Sequence, residues 1–431
     1  MERLRFCMVT TFYPPWNFGG DGIGIQRFSR ALVRRGHDVT VLLDTDAYRV
    51  LSRGNEPPAP ESDEGVRIVP LRSGLGRLSL LLTQQTGRPV VHGGRIAEFL
   101  GDGTFDVINY HNISLVGGPG VLGIGRAPVK IYMAREHWLV CESHVLWRHL
   151  REPCTGRECL RCVLHYRRPP QIWRRTGLLE RELGHVDAFI AMSEYSRRMH
   201  KQFGFPRDME VVNYFLPDLT PEELAVAPAN GAGAAADDEA DTPPQDRPYF
   251  LFVGRLEKLK GLDDVIPVFR ETPDVDLLIA GDGEYGAVLR GIGEGIPNVK
   301  FLGRIPFENL ARLYRHARAL IVPSVGPETF GIILIESFRQ GTPVIARRRG
   351  PFPEIVERCD GGELFETPQE LVAAMRRIQQ DPERRSRMAA NAREGFVKHW
   401  AESAVIPKYL DVVRRAAAAK GQTDIARKLE P

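Results

Sequence analysis

The chain contains no long hydrophobic run. Its apolar stretches are brief, Leu78 to Leu82 among them, whereas a membrane-spanning helix needs about 20 consecutive apolar residues. The opening MERLRFCMVTTFYPP has too short an apolar stretch for a signal peptide, leads into a Pro-Pro turn, and is followed by no small-residue cleavage site. An excess of one charge is also missing. The 58 basic and 55 acidic residues leave a formal net charge of +3 over 431 residues, and nothing in that balance calls for a nucleic-acid partner. Cysteine is scarce, at six residues. Without a secretory signal, these thiols are expected to be reduced or metal-bound instead of forming a disulfide framework. The expected location is the cytoplasm, with peripheral contact at the inner face of a membrane as a further expectation.

What the chain does have is length and apolar content. Its 431 residues, 43% of them hydrophobic, suffice for two or three domains with cores of their own. The first half alternates strand and helix. LRFCMV reads as a buried strand, and NFGGDGIG as a Gly-rich loop. A helix follows through Ile25, Phe28 and Leu32, spaced on one face and ended by Gly36. HDVTVLL, VRIVPL, DVINYH, PVKIYMA, DAFIAMS and EVVNYF supply further strands. Between about Leu219 and Arg247 the sequence turns small, acidic and Pro-rich, which predicts a flexible linker. Alternation then resumes with YFLFVG, DLLIAG, VKFLG, ALIVPS and TPVIA, and the final stretch is helical and Arg-rich. This pattern predicts an α/β protein with two mostly parallel, doubly wound sheets. The expected domains are 1–216 (with a Cys-rich insertion at about 137–170), a linker over 217–247, a second domain over 248–400 and a helical tail over 401–431. Ligands of such sheets bind at the carboxyl ends of the strands.

Two motifs sit at such ends. In Glu328-Thr-Phe-Gly-Ile-Ile-Leu-Ile-Glu336, one carboxylate precedes a helix and the other lies on it, with Gly331 at the helix start. Free N–H groups and partial positive charge at that end suit a phosphate or another electron-rich ligand. Glu336 is placed to accept hydrogen bonds from vicinal hydroxyls, and Glu328 to do the same for a sugar. The plain alternative is a strand–turn–helix with two solvated glutamates. In Val253-Gly-Arg-Leu-Glu-Lys-Leu-Lys-Gly261, Arg255 and Lys260 lie on the loop leaving a strand. An Arg fork with a mobile Lys charge is suited to a diphosphate, and a solvated basic loop is the alternative.

Together with PVIA, GPFPEIVE, AGDGE, LGRIPFENLARLYRHARALIVPS and GELFE, these motifs resemble the E-x7-E region of family 4 (group 1) retaining glycosyltransferases. GGDGIGIQRFSRALVRRGHDVTVL is similar to the opening of the same family. The resemblance implies a GT-B fold, in which two Rossmann-like domains face each other across a donor-binding cleft. It further implies a nucleoside diphosphate sugar as donor, a hydroxyl acceptor of unspecified kind, and no cofactor for catalysis. By the same resemblance, Arg255 and Lys260 hold the diphosphate, Glu328 the donor sugar, and Glu336 the ribose. Phe330 and Gly331 present backbone near the sugar. His111, in NYHN, faces the sugar from the N-terminal domain, and Gly20 lies near the phosphates. Read by itself, His111 is more readily a satisfied core histidine, and its place at the end of the DVINYH strand raises the functional reading.

Other clusters point elsewhere. Asp44-Thr45-Asp46 and Asp274-Val275-Asp276 both spell D-x-D, a short pattern with a high false-positive rate as a metal signal. Cys141, Cys154, Cys159 and Cys162 fall within one short segment and end C-x4-C-x2-C, a spacing compatible with structural zinc; free thiols packed as small hydrophobes are the alternative. WRHLRE, HYRRPPQIWRRT and SRRMHKQFGF make the same region basic and aromatic, suited to an acidic or lipid-linked acceptor or to anionic lipid. The competing functions are a sugar-nucleotide epimerase on the same fold and an inactive nucleotide-sugar scaffold. A phosphorylase would need a cofactor-binding lysine, for which no suitable context is found.

Overall fold

The computed structural model describes residues 2–58, 63–225 and 243–430. In chain order the strands of the first half are β1 (Arg5–Thr10), β2 (Asp38–Asp44), β3 (Arg67–Leu71), β4 (Val107–Tyr110), β5 (Val129–Ala134), β6 (Trp147–Arg148), β7 (Glu152–Pro153), β8 (Ala188–Ala191) and β9 (Glu210–Val211). The second half contributes β10 (Tyr249–Val253), β11 (Asp276–Ala280), β12 (Val299–Gly303), β13 (Leu320–Val322), β14 (Val344–Arg347) and β15 (Gly362–Phe365). The first sheet runs β3-β2-β1-β4-β5-β8-β9 and the second β12-β11-β10-β13-β14-β15. Both are parallel throughout, while β6 and β7 form a small antiparallel pair.

The strands form because their residues are apolar on both faces, as a parallel sheet covered by helices requires. All five residues of β10 and of β11 are buried. The helix Gly20–Arg34 buries the predicted face, Ile25, Phe28 and Leu32, and Gly36 follows it at φ 83°. In each sheet the strand order reverses direction beside its first strand, between β1 and β4 and between β10 and β13. Loops leaving these strands diverge to opposite faces, which opens a crevice at their carboxyl ends.

The chain divides into two compact units, Met1–Tyr214 with Val405–Pro431, and Phe215–Ala404. This shifts two expected boundaries. Residues at the edges of the expected linker are built into the second unit. Asp218 accepts hydrogen bonds from the Ser403 N–H and hydroxyl, Glu223 pairs with Arg339 at 2.8 Å, and Arg247 pairs with Asp276 at 2.7 Å. The remainder of that linker, 226–242, lies outside the described residues. The C-terminal segment is helical, as Glu402–Ala419 and Thr423–Lys428, but from Val405 onward it belongs to the first unit. Composition marks the segment as helical without revealing which core its apolar face fills. Among the described residues no helix is long and apolar enough to cross a membrane.

Candidate active site

In the first unit the site is built on the loops after β1, β4 and β5. The loop after β1 delivers Gly19 and Gly20 to the start of the helix Gly20–Arg34, whose N-cap position, Gly19, has no capping side chain. The first-turn N–H groups are thus left for an anionic ligand. Gly20 is exposed and a Cβ there would meet nothing within 4 Å, so the position tolerates a ligand's close approach. Gly24, one turn on, is different: a Cβ would come within 2.7 Å of Tyr214 and 2.8 Å of Arg135.

His111 directly follows β4 and is buried, its N–H bonded to the Val9 carbonyl at 3.0 Å. Its Nδ1 accepts from Arg135 Nε at 3.1 Å. That contact fixes the tautomer and puts the ring proton on Nε2, which is buried with no partner. Burial, reinforced by the Arg135 charge, holds the imidazole well below its usual pKa, so the ring is neutral. Among the described residues, one His111 nitrogen is thus fixed and the other is left without a partner.

Arg135, Glu136 and Asp21 complete this cluster, and sequence reasoning missed all three. The Arg135 guanidinium lies 4.8 Å from the centre of the Tyr214 ring. Glu136 bonds His144 Nδ1 at 2.8 Å through one oxygen, while the other is buried without a partner. Removal from water pushes the Asp21 carboxyl up to about 6, opposed by Arg135 and by a hydrogen bond from Asn112, and assisted by Glu136. The signal was available, because AREHW follows a strand and GGDG is the loop after β1.

In the second unit the loops after β10 and β13 meet. The carbonyl of Leu259 accepts from the Val325 N–H at 2.9 Å, and Lys260 Nζ donates to Glu328 Oε1 at 2.8 Å. The lysine of one predicted motif and the first glutamate of the other are therefore partners, each about a quarter exposed. Arg255 is exposed and paired with Glu257 at 2.8 Å. Phe330 is buried, and Gly331 caps the helix Ile332–Arg339 without a side-chain hydrogen bond. A Cβ on Gly331 would lie 2.7 Å from Leu334 and 3.0 Å from Phe352. Glu336 lies on that helix and accepts from the Tyr314 hydroxyl at 2.9 Å.

The D-x-D pairs are occupied in structural roles. Asp44 caps the helix Thr45–Leu51 by accepting from the Ala47 N–H, and Asp46 accepts from the Ser73 N–H and hydroxyl and contacts His92 at 3.1 Å. Asp44, Asp46 and His92 do place their ligand atoms within 4.8 Å of one another, and all three are buried. Asp276 is held by Arg247 and Lys300, and Asp274 accepts from Gln379 at 3.0 Å. Cys141, Cys154, Cys159 and Cys162 are unpaired thiols that line one small pocket of about 20 Å³.

Solved structures share this architecture. Sucrose-phosphate synthase from Thermosynechococcus elongatus superposes with a TM-score of 0.69 at 19% identity, over 96% of this chain and 100% of that one. An Anabaena protein in complex with UDP-glucose superposes with a TM-score of 0.62 at 17% identity, over 96% and 100%. Two parallel Rossmann-like units, each with its loops at the strand-order reversal, give this chain the GT-B fold. Residues 18–214 match Glycosyltransferase Family 4, and residues 235–395 match Glycosyl transferases group 1. The chain belongs to this group 1, family 4 set of glycosyltransferases. Among curated relatives, a glycogen synthase of Mycobacterium tuberculosis is 27% identical over 91% of this chain and 90% of that protein. A D-inositol 3-phosphate glycosyltransferase of Corynebacterium kroppenstedtii is 31% identical over 41% of this chain and 43% of that protein.

Proposed function

We propose that this chain transfers a hexosyl-type sugar from a nucleoside diphosphate sugar to a hydroxyl acceptor, with retained configuration and without a catalytic metal. The observation that carries this reading is the Lys260–Glu328 pair at the strand-order reversal of the second sheet, beside a helix start with no capping side chain. The lysine can turn to a phosphate oxygen when the donor arrives, which releases Glu328 to accept from a sugar hydroxyl. Arg255 adds a second positive charge, and Glu336 supplies an acceptor for the ribose hydroxyls. The complex of the Anabaena protein with UDP-glucose supports a donor of this chemical type.

In the transfer step the acceptor oxygen bonds to the anomeric carbon on the face from which the diphosphate departs. The bond between that carbon and the phosphate oxygen breaks, and its electron pair leaves with the diphosphate. The acceptor's proton passes to the departing phosphate oxygen. Charge accumulates on the phosphate, and the cations and helix N–H groups stabilise it where it forms, without reorganisation. Neutral His111 offers its Nε2–H to a sugar oxygen.

The reading extends to peripheral contact of the first unit with an anionic membrane. Leu150, Leu160, Leu164 and Ile172 are exposed beside the exposed Arg151, Arg161, Arg167 and Arg175, a pairing suited to an interface. Sedimentation with vesicles of phosphatidylcholine, with and without anionic lipid, tests this part, and no binding to the anionic vesicles would remove it.

The test of the main reading is thermal shift with UDP-, GDP- and ADP-sugars, with and without EDTA, followed by NMR of the anomeric configuration of the product. Stabilisation by one nucleotide series, unchanged by EDTA, is expected. An inverted product would overturn the proposed transfer step. Stabilisation without turnover on any hydroxyl acceptor would leave a nucleotide-sugar scaffold.

A further inference from the structure

The segment after β5 is poor in regular structure, although Trp138, Leu139, Leu146, Trp147 and Val163 anchor it by burial. Its regular structure amounts to the two-residue strands β6 and β7 and the helix Cys159–His165, which buries Val163 alone. Five of its non-glycine residues lie in the left-handed region, His144, Leu146, His149, Leu150 and Arg167. Each such residue costs about 1–2 kcal/mol. A loop with so little regular structure and so many unfavourable dihedrals gains from a constraint that its own propensities do not supply.

The four thiols are placed to supply one. Cys141 comes from the turn after β5, Cys154 directly follows β7, and Cys159 and Cys162 share one side of the short helix at i, i+3 spacing. They reach the same pocket of about 20 Å³ from three separate stretches of chain, a volume on the scale of a single water molecule. Backbone groups already attend them. The His149 N–H points at Cys162 Sγ at 3.4 Å, and the Cys154 thiol donates to the Gly156 carbonyl at 3.2 Å. Among the described residues, no three of these sulfurs lie within 4.8 Å of one another, whereas the edge of a tetrathiolate site is about 3.8 Å, from a Zn–S length of about 2.3 Å.

We infer that Cys141, Cys154, Cys159 and Cys162 form a structural zinc site in which the pocket contracts around one ion and four thiolates close its tetrahedron. Each ligand loses its proton to solvent on binding. With four protein ligands the ion has no open position, so it acts on folding and not on the transferred sugar. It also fixes one wall of the neighbouring cavity of about 550 Å³, whose lining includes Cys159, Glu142, Arg157, Arg174 and Phe203.

The full-length chain, purified without chelator, is assayed for metal by mass spectrometry of the elements and by thiol titration before and after metal release. One zinc per chain is expected, with four further thiols becoming reactive on release. Replacing zinc by Co²⁺ should give the intense d–d absorption of tetrahedral thiolate coordination, a readout independent of transferase activity. Cys359→Ser, in the second unit, should keep the full metal content, and Cys159→Ser should lose it. If Cys159→Ser does not fold, the cobalt spectrum of the unaltered chain still decides the matter. No zinc, no cobalt spectrum and four freely reactive thiols would overturn the inference. So would intact-mass loss of two hydrogens per cysteine pair, which would reveal disulfides.

Discussion

At the residue scale, four side chains have properties that neither sequence nor burial alone would assign. Lys260 and Glu328 satisfy each other, so their contributions to transfer should be coupled. Lys260→Ala and Glu328→Ala are each expected to lower kcat/KM by about 100-fold, as is typical for loss of one charge-stabilising group. The double variant should lose much less than the product of the two. Steady-state kinetics on the four proteins measure the coupling, and strict additivity would mean that the pair acts at independent points. His111 is neutral over the working range because burial depresses its pKa. Activity should therefore show no limb near pH 6.5 from this residue, and His111→Ala should cost about 100-fold through loss of a hydrogen-bond donor. Asp44 behaves oppositely, since burial pushes its carboxyl up to about 7, against an ordinary value of 3.8. The folded state then holds that proton more tightly than the unfolded state. Stability is greatest below about pH 4 and declines as pH rises towards 7. Asp44→Asn keeps an oxygen for the helix cap and removes the ionisation. Relative to the parent, it should gain on the order of 4 kcal/mol between pH 4 and pH 8. Urea titrations at both values test this, and a gap that does not change with pH would mean that Asp44 is ionised and compensated in the fold.

At the scale of elements, the tight turn after β10 decides whether Lys260 reaches its partner. Gly261 joins the short helical turns Lys258–Lys260 and Leu262–Asp264 at φ 69°, and a Cβ there would sit 2.3 Å from the Pro323 carbonyl oxygen. Gly261→Ala therefore carries both backbone strain and a clash with main chain. We expect a loss of about 2 kcal/mol or more, together with loss of the donor-induced thermal shift, because the turn carries Lys260. A variant that melts and binds donor like the parent would show that the turn can relax. These elements were legible in the sequence because their strands are continuous apolar runs ended by Gly or Pro. The E-x7-E helix could be placed because its spacing carries a chemical requirement. β15 was not read as a strand, since Gly362-Glu363 interrupts its apolar run and Glu363 turns to Arg377 and Arg384. The Asp21–His111–Arg135 cluster was only one-third visible. Arg135 is 24 residues from His111, and their contact depends on β4 and β5 being neighbours, a fact of sheet order that local sequence does not contain.

At the scale of the whole molecule, the unexpected feature is that the first unit is completed by the end of the chain. Tyr409 is fully buried, 4.6 Å from Phe28 and 6.4 Å from Phe6 by ring centres, so two residues of the first 30 and one of the last 30 share a core. Arg415 pairs with Glu210 at 2.6 Å, Lys420 with Asp187 at 3.0 Å, and the Glu2 N–H bonds the Lys428 carbonyl at 3.0 Å. The two ion pairs each have a lysine or arginine about half exposed and contribute little, which leaves most of the stabilisation with the apolar contacts. Tyr409→Ala should accordingly cost about 3–5 kcal/mol, the usual penalty for deleting a buried aromatic ring. The Tyr409 hydroxyl is buried with no partner, so Tyr409→Phe should be neutral or stabilising, because it removes a polar group that was never satisfied. Deleting 405–431 should depress the first unit's melting transition in calorimetry and leave that of Phe215–Ala404 in place, since the deleted residues belong only to the former. A Tyr409→Phe variant that loses stability would mean the hydroxyl has a hydrogen-bond partner such as ordered water. Loss of both transitions on truncation would mean that the second unit depends on the first for its fold.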